Sequence, residues 1–154
     1  MQFVKVSEAA AIGIHAMALL ALNEGATLSM SRIAEELEVS SAHCSKVMQR
    51  LARAGYIDAV RGPSGGYRLA KPSTQIRLAE VLEAIEGPLQ DTECLFHRQQ
   101  CRFSACIFDG LFNEINTKVR DFFESTSLAA AAEKLGKKKG SGETMPGVSI
   151  EVGS

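Results

Sequence analysis

No stretch of this 154-residue chain stays apolar for the roughly 20 residues that a bilayer-spanning helix requires, the longest run lying around Ala16 to Leu22. The N-terminus also lacks a basic lead-in followed by a small-residue cleavage site, so neither membrane insertion nor export is expected. Net charge is scarce as well. Seventeen basic residues stand against eighteen acidic ones, which argues against a protein that coats nucleic acid generally. No nucleophile–base arrangement, Gly-rich nucleotide loop or acid pair stands out, and His15, His43 and His97 have simpler roles, so no enzyme is expected. Nor is there an internal repeat. What is present, 45% hydrophobic and 23% charged residues, suits one or two small globular domains with a sizeable core. A cytoplasmic setting places the four cysteines in a reducing compartment, where clustered thiols more often serve metal binding or redox chemistry than structural disulfides.

Charge is unevenly placed. Between Ser29 and Arg77, eight basic residues (Arg32, Lys46, Arg50, Arg53, Arg61, Arg68, Lys71 and Arg77) face four acidic ones (Glu35, Glu36, Glu38 and Asp58), a local +4 that leaves −5 for the remainder. Such a field attracts phosphates while limiting non-specific adhesion.

Helical spacing of Ala, Leu, Ile and Met from Ser7 to Leu22, with Ser7 as cap and Asn23-Glu24-Gly25 as stop, predicts a mostly buried first helix. Ser29 or Ser31 can cap a short second helix carrying Ile33, Ala34 and Leu37, and Glu38-Val39 then leads tightly into a third, from Ser40 to about Ala54 before Gly55. Two helices joined so closely suggest a helix-turn-helix. Two strand-like runs, Tyr56 to Val60 and Tyr67 to Ala70, flank the turn Arg61-Gly62-Pro63-Ser64-Gly65-Gly66 and predict a hairpin. A helix from Leu78 to Glu86 ends at Gly87-Pro88; a loop bearing three cysteines follows, and a helix of some six turns is predicted from about Ser104 to Thr126. Its apolar stripe of Phe108, Leu111, Phe112, Ile115, Val119, Phe122 and Phe123 has a near seven-residue period suited to a partner chain. A short Ala-rich helix at Leu128 to Leu135 completes the ordered part.

Placed on a helix, Cys44, Val47, Met48, Leu51 and Ala54 form an apolar face opposite Ser40, His43, Lys46 and Arg50. Hydroxyl, imidazole, ammonium and guanidinium groups there suit base edges and phosphates in a major groove, although any solvated helix face looks similar. The adjoining hairpin shifts the balance. Arg61 and the amides of Ser64, Gly65 and Gly66 can approach a phosphate chain or minor groove, although Pro63 and the glycines are also what a plain hairpin turn needs. Arg32, Ser41 and Tyr67 complete the set of candidate DNA contacts.

Six residues separate Cys94 from Cys101 and four separate Cys101 from Cys106, close enough for one loop to converge three thiolates on a single centre. The spacing matches neither a zinc ribbon nor a ferredoxin, but soft thiolates favour zinc or an iron–sulfur cluster over magnesium or calcium. Cys44, on the apolar face, reads as packing.

The wing Val60-Arg61-Gly62-Pro63-Ser64-Gly65-Gly66-Tyr67-Arg68-Leu69, followed by Val81 to Gly87 and the three cysteines, resembles the Rrf2 family of winged-helix transcription regulators, which includes iron–sulfur assembly and nitric-oxide-sensing members. The resemblance runs from Met1 to about Leu135. It implies a mainly α fold, with a winged helix-turn-helix DNA-binding domain at 1–87, a cysteine loop at 88–106 and a long dimerisation helix with a short following helix at 107–135; beyond it, 136–154 is too poor in apolar residues to pack and is expected to be a disordered tail. It further implies a homodimer on double-stranded operator DNA, usually as a repressor, and an iron–sulfur cluster, [2Fe-2S] or [4Fe-4S], held by Cys94, Cys101, Cys106 and one non-cysteine ligand. Glu8 matches a position where some members use a carboxylate from the partner subunit, although a carboxylate is favourable at any helix N-terminus. Asp109 falls where others have histidine, and His97 lies inside the cysteine loop. Two further readings stay open: a winged-helix repressor switched by a reversible disulfide, and an interaction or electron-transfer protein built on zinc or a cluster.

Overall fold

The computed structural model describes residues 6–88, 107–108 and 110–136. In chain order these form α1 (Glu8–Leu22), α2 (Met30–Glu36), α3 (Ser41–Arg53), β1 (Ile57–Val60), β2 (Gly66–Leu69), a 3-10 turn at Ser73–Gln75, α4 (Leu78–Glu86), α5 (Leu111–Ser125) and α6 (Leu128–Gly136). The mainly helical winged architecture expected from the sequence is the one found.

Serine side chains start the first three helices. The Ser7, Ser29 and Ser40 hydroxyls accept from the amides of Ala10, Arg32 and His43, at 3.1, 3.2 and 3.2 Å, and each satisfies a donor that the first helical turn leaves without a partner. Ser29, not Ser31, is therefore the cap of α2. Helix α1 is apolar nearly all round and runs through the core, burying Ala10, Ile12, Ala16, Met17 and Leu20 against α3, α4 and α6. Gly13 lets those neighbours come close: a Cβ there would lie 2.0 Å from Ile85 Cδ1 and 3.3 Å from Val47 Cγ1, so α1, α3 and α4 meet at this point.

Between α2 and α3 the chain reverses at Glu38, whose φ of 55° is the one positive value among non-glycine described residues. Val39 N–H bonds Ala34 O at 3.0 Å across this turn. Ile33 and Ala34 from α2 join Cys44, Val47, Met48 and Leu51 from α3 in one core. Fully burying a side chain of the Leu, Ile or Met size stabilises by roughly 1.5–3 kcal/mol, so the apolar stripe on α3 fixes which face remains outside.

Strands β1 and β2 pair antiparallel, with Ile57 opposite Leu69 and Val60 opposite Gly66. A third stretch joins them, since Leu28 and Tyr67 exchange backbone hydrogen bonds of 2.9 and 2.8 Å and so attach the wing to the segment entering α2. Helix α4 ends at Gly87 with φ 86°.

The predicted helix from Ser104 needs correcting. Helix α5 begins at Leu111, because Gly110 takes the left-handed conformation at φ 81° and Leu111 N–H bonds back to Phe108 O at 2.9 Å, leaving Phe108 in a turn. Residues 104–106 and Asp109 lie outside the described residues. After α5 the chain is held to the rest of the fold by Leu78 N–H to Thr126 O (3.1 Å) and Leu128 N–H to Ile76 O (2.8 Å), and Leu128 is fully buried. Of the tail expected at 136–154, Gly136 is instead the last residue of α6, and the remainder lies outside the described residues.

Candidate nucleic-acid interface and cysteine segment

Burying one side of α3 presents the other. His43, Lys46 and Arg50 recur at three- and four-residue spacing on one face, and Ser41 lies in the first turn. Lys46, Arg50 and Ser41 are exposed, and His43 is half-buried. The Ser40 hydroxyl is engaged as the cap, so it contributes by fixing the start of the helix. Arg32 is exposed on α2; Arg61 and Ser64 are exposed at the wing, where Gly65, Gly66 and Tyr67 are half-buried. Tyr67 is half-buried and packs against the core, whereas Arg61 and Ser64 stand exposed nearer the wing tip.

Two of the candidates have partners that the sequence did not signal. Arg50 donates from Nη1 to the Ile85 carbonyl at 3.1 Å, tying α3 to the last turn of α4. His43 Nδ1 lies 3.8 Å from Glu8 Oε2, a weak contact at this distance, with the Glu8 side chain 74% exposed. Elsewhere in the basic segment, Arg68 faces Asp58 across the strands at 3.8 Å, Lys71 sits 4.9 Å over the Tyr56 ring, and Arg77 bonds Ser125 O at 3.1 Å. The local +4 is thus partly satisfied within the molecule. Lys46 and Arg61 make no ion pair among the described residues. Ser45 and Gln49, bonded to each other at 3.4 Å, also occupy the outer side of α3 and belong among the candidates; helical spacing alone would have found them.

Cys94, Cys101, Cys106, His97 and Asp109 lie outside the described residues. Among the described residues no group of three His, Cys, Asp or Glu side chains could hold a metal. Glu8 fits a ligand's role in one respect: its carboxylate is exposed and only weakly held, so little has to be broken to release it. Cys44 does not fit. It is fully buried in α3, burial pushes its thiol pKa up, and the neutral thiol packs as a small apolar group.

A helix-turn-helix with a left-handed turn, a hairpin wing bonded to the strand-like stretch ahead of α2, and a polar outer face on α3 define a winged-helix DNA-binding regulator. The chain belongs to the Rrf2 family, described as iron-dependent transcriptional regulators, which it matches over residues 6–134. It is 31% identical over 130 residues to a protein of Neisseria meningitidis serogroup A named as an HTH-type transcriptional regulator, covering 83% of this chain and 87% of that one. A similarly named protein of Haemophilus influenzae is 29% identical over 122 residues, covering 78% and 81%. The structure resembles that of CymR, the global cysteine regulator of B. subtilis, with a TM-score of 0.74 at 25% identity over 86% of this chain and 98% of that one. It resembles the oxidized form of Staphylococcus aureus CymR, with a TM-score of 0.66 at 30% identity over 84% and 97%. T. potens IscR shares the fold, with a TM-score of 0.70 at 23% identity over 92% and 95%.

Lys46→Ala is expected to weaken binding to all DNA sequences and to lower the slope of log K against log salt by about one. Fluorescence anisotropy with operator and scrambled duplexes across a salt series checks this, and an unchanged slope removes Lys46 from the phosphate contacts.

Proposed function

We propose that this regulator is a homodimeric repressor whose grip on operator DNA depends on an iron–sulfur cluster bound by Cys94, Cys101 and Cys106, with Glu8 of the partner subunit as fourth ligand. The observation that carries the reading is the compact cysteine triplet standing between α4 and α5 in a member of a family described as iron-dependent. Asp109 and His97 are the alternative fourth ligands. Whether [2Fe-2S] or [4Fe-4S], a bound cluster supplies one-electron redox chemistry and reactivity toward oxygen and nitric oxide. The protein's contribution is the donor set. Three thiolates select a soft centre, and a hard carboxylate in the fourth position is more readily exchanged than another thiolate would be, which suits a sensor.

The dimer reading is supported by α5. None of its 15 residues is buried, yet Leu111, Phe112, Ile115, Val119, Phe122 and Phe123 recur along it, with Leu111 and Phe122 each 48% exposed. A contiguous apolar face of this kind commonly marks a protein contact. Pairing would set two copies of α3 for successive major grooves, roughly 34 Å apart on the duplex, where a small change in their separation alters affinity. Among the described residues no helix is long and apolar enough to cross a membrane, in keeping with a cytoplasmic operator-binding protein.

A second reading has one observation in its favour: the 30%-identical CymR relative was solved in an oxidized form. In that reading the cysteines form a reversible disulfide and no metal is held. Anaerobic purification separates the two. Brown protein whose iron, sulfide and visible absorption decline in air is the expected result. Colourless protein whose DNA binding is switched by peroxide establishes the thiol reading, and one zinc per chain overturns both.

A further inference from the structure

Ile85 ties the end of α4 to both α1 and α3. Its side chain fills the notch left by Gly13 on α1, beside Val47 of α3. Its carbonyl accepts the hydrogen bond from Arg50 Nη1 at 3.1 Å. One residue further on, the Glu86 carboxylate accepts from the Ser7 hydroxyl at the start of α1, and the neighbouring Glu8 lies against His43 of α3. The N-terminus of α1, the outer face of α3 and the C-terminus of α4 therefore converge on one junction. The last carbonyls of a helix lack intrahelical partners and form the negative end of its dipole, so a guanidinium is the donor that this position favours. The bond spans 35 residues of sequence and is partly shielded from water, whereas a phosphate contact would require the same side chain to serve the solvent-facing groove.

We propose that Arg50 is a positioning residue: by bonding the Ile85 carbonyl it sets the recognition helix α3 against the end of α4, and it supports DNA reading through that placement rather than through a phosphate contact. The proposal rests on the reading of α3 as the helix that enters the groove. It assigns Arg50 a role different from that of Lys46 on the same face. Loss of a charge at a phosphate lowers the salt dependence of binding, whereas loss of a positioning bond leaves the number of phosphate contacts unchanged and loosens the helix instead.

The test uses the full chain as wild type, Arg50→Met and Arg50→Lys, an operator duplex recovered by selection from genomic DNA, and backbone hydrogen exchange without DNA. Arg50→Met is expected to lose about tenfold in operator affinity, the scale of one mismatched base pair, with an unchanged salt slope. Its amides across Ser41–Arg53 should exchange several-fold faster than wild type. Arg50→Lys, whose ammonium can reach the same carbonyl, should recover most of both. An Arg50→Met protein with wild-type exchange in α3, or with a salt slope lower by about one, overturns the proposal. Wild-type protein that selects no sequence defeats the reading of α3 itself, an outcome that the exchange data do not imitate, and the proposal falls with it.

Discussion

Replacing Cys94, Cys101 and Cys106 together by serine is expected to yield colourless protein containing neither iron nor sulfide, with operator affinity no longer altered by air or nitric oxide. Serine keeps the size of the side chain but exchanges a soft thiolate for a hydroxyl that stays protonated and binds soft metals poorly. Three of the four proposed ligands disappear at once. If cluster state and DNA affinity are linked with a coupling energy of about 1–3 kcal/mol, the wild-type forms differ by roughly 5- to 150-fold in affinity, and the triple variant should collapse that difference to a single value. Cys44→Ala is the matched control. Its thiol is fully buried among Val47, Met48 and Leu51, so its replacement should lower the melting temperature and leave the colour intact. The triple variant should still melt cooperatively, because α1, α3, α4 and α6 supply Met17, Leu20, Met48, Leu51, Val81 and Leu128 to a core of their own. Wild-type protein that carries no iron, and binds its operator no differently from the triple variant in any redox state, eliminates the cluster reading and leaves an Rrf2-family regulator of another kind.

Elements whose cause is local were legible in the sequence. A serine three residues ahead of the amide that it accepts from is visible in any window: Ser7 is legible as the cap of α1, α2 as starting from Ser29 or Ser31, and α3 as starting at Ser40, one residue before its first helical position. The outer face of α3 was equally legible, because 3.6-residue periodicity separates Cys44, Val47, Met48 and Leu51 from His43, Lys46 and Arg50. The start of α5 misled for a complementary reason. The apolar stripe runs from Phe108 into Leu111, and the left-handed Gly110 between them delays the start of α5 to Leu111, an interruption that periodicity does not weigh. Partnerships between distant residues left no local trace. Arg50 reads as a phosphate contact from its charge and face, since nothing near it announces a carbonyl 35 positions away, and the Glu8–His43 approach is hidden in the same way. The cysteine triplet was legible as spacing and chemistry, and the family match adds the expectation of iron without adding a geometry.

The glycines of the wing are the other case in which the fold supplies a cause that composition could not, and Gly66→Ala is expected to be among the most damaging single changes in the protein. Sequence reading treats Gly65 and Gly66 as making room for a phosphate chain or as serving a hairpin turn. The structure gives them neighbours from the protein itself. A Cβ at Gly66 would stand 2.0 Å from the Leu28 carbonyl oxygen and 2.5 Å from its carbon, with φ at 155°, and backbone cannot yield as a side-chain tip can. Relief of that clash must separate β2 from the stretch ahead of α2, which breaks both hydrogen bonds between Leu28 and Tyr67. Two lost backbone bonds at about 1 kcal/mol each, together with residual strain of about 1–3 kcal/mol, put the cost near 3 kcal/mol or above. Against a typical stability of about 5–15 kcal/mol this is a large fraction, and it corresponds to a fall in melting temperature of roughly 10 °C. Gly25→Ala provides the comparison: its φ of 88° is also strained for alanine, but nothing lies within 4 Å of the added carbon, so it registers conformational cost alone. Thermal melts of the two variants should differ by several degrees, with Gly66→Ala the lower, and its DNA binding should fall further than its folded fraction explains, because the wing has moved relative to α3. Equal melting temperatures would mean that Leu28 and Tyr67 do not hold the wing in place, and the case for a wing oriented by its own backbone would have to be abandoned.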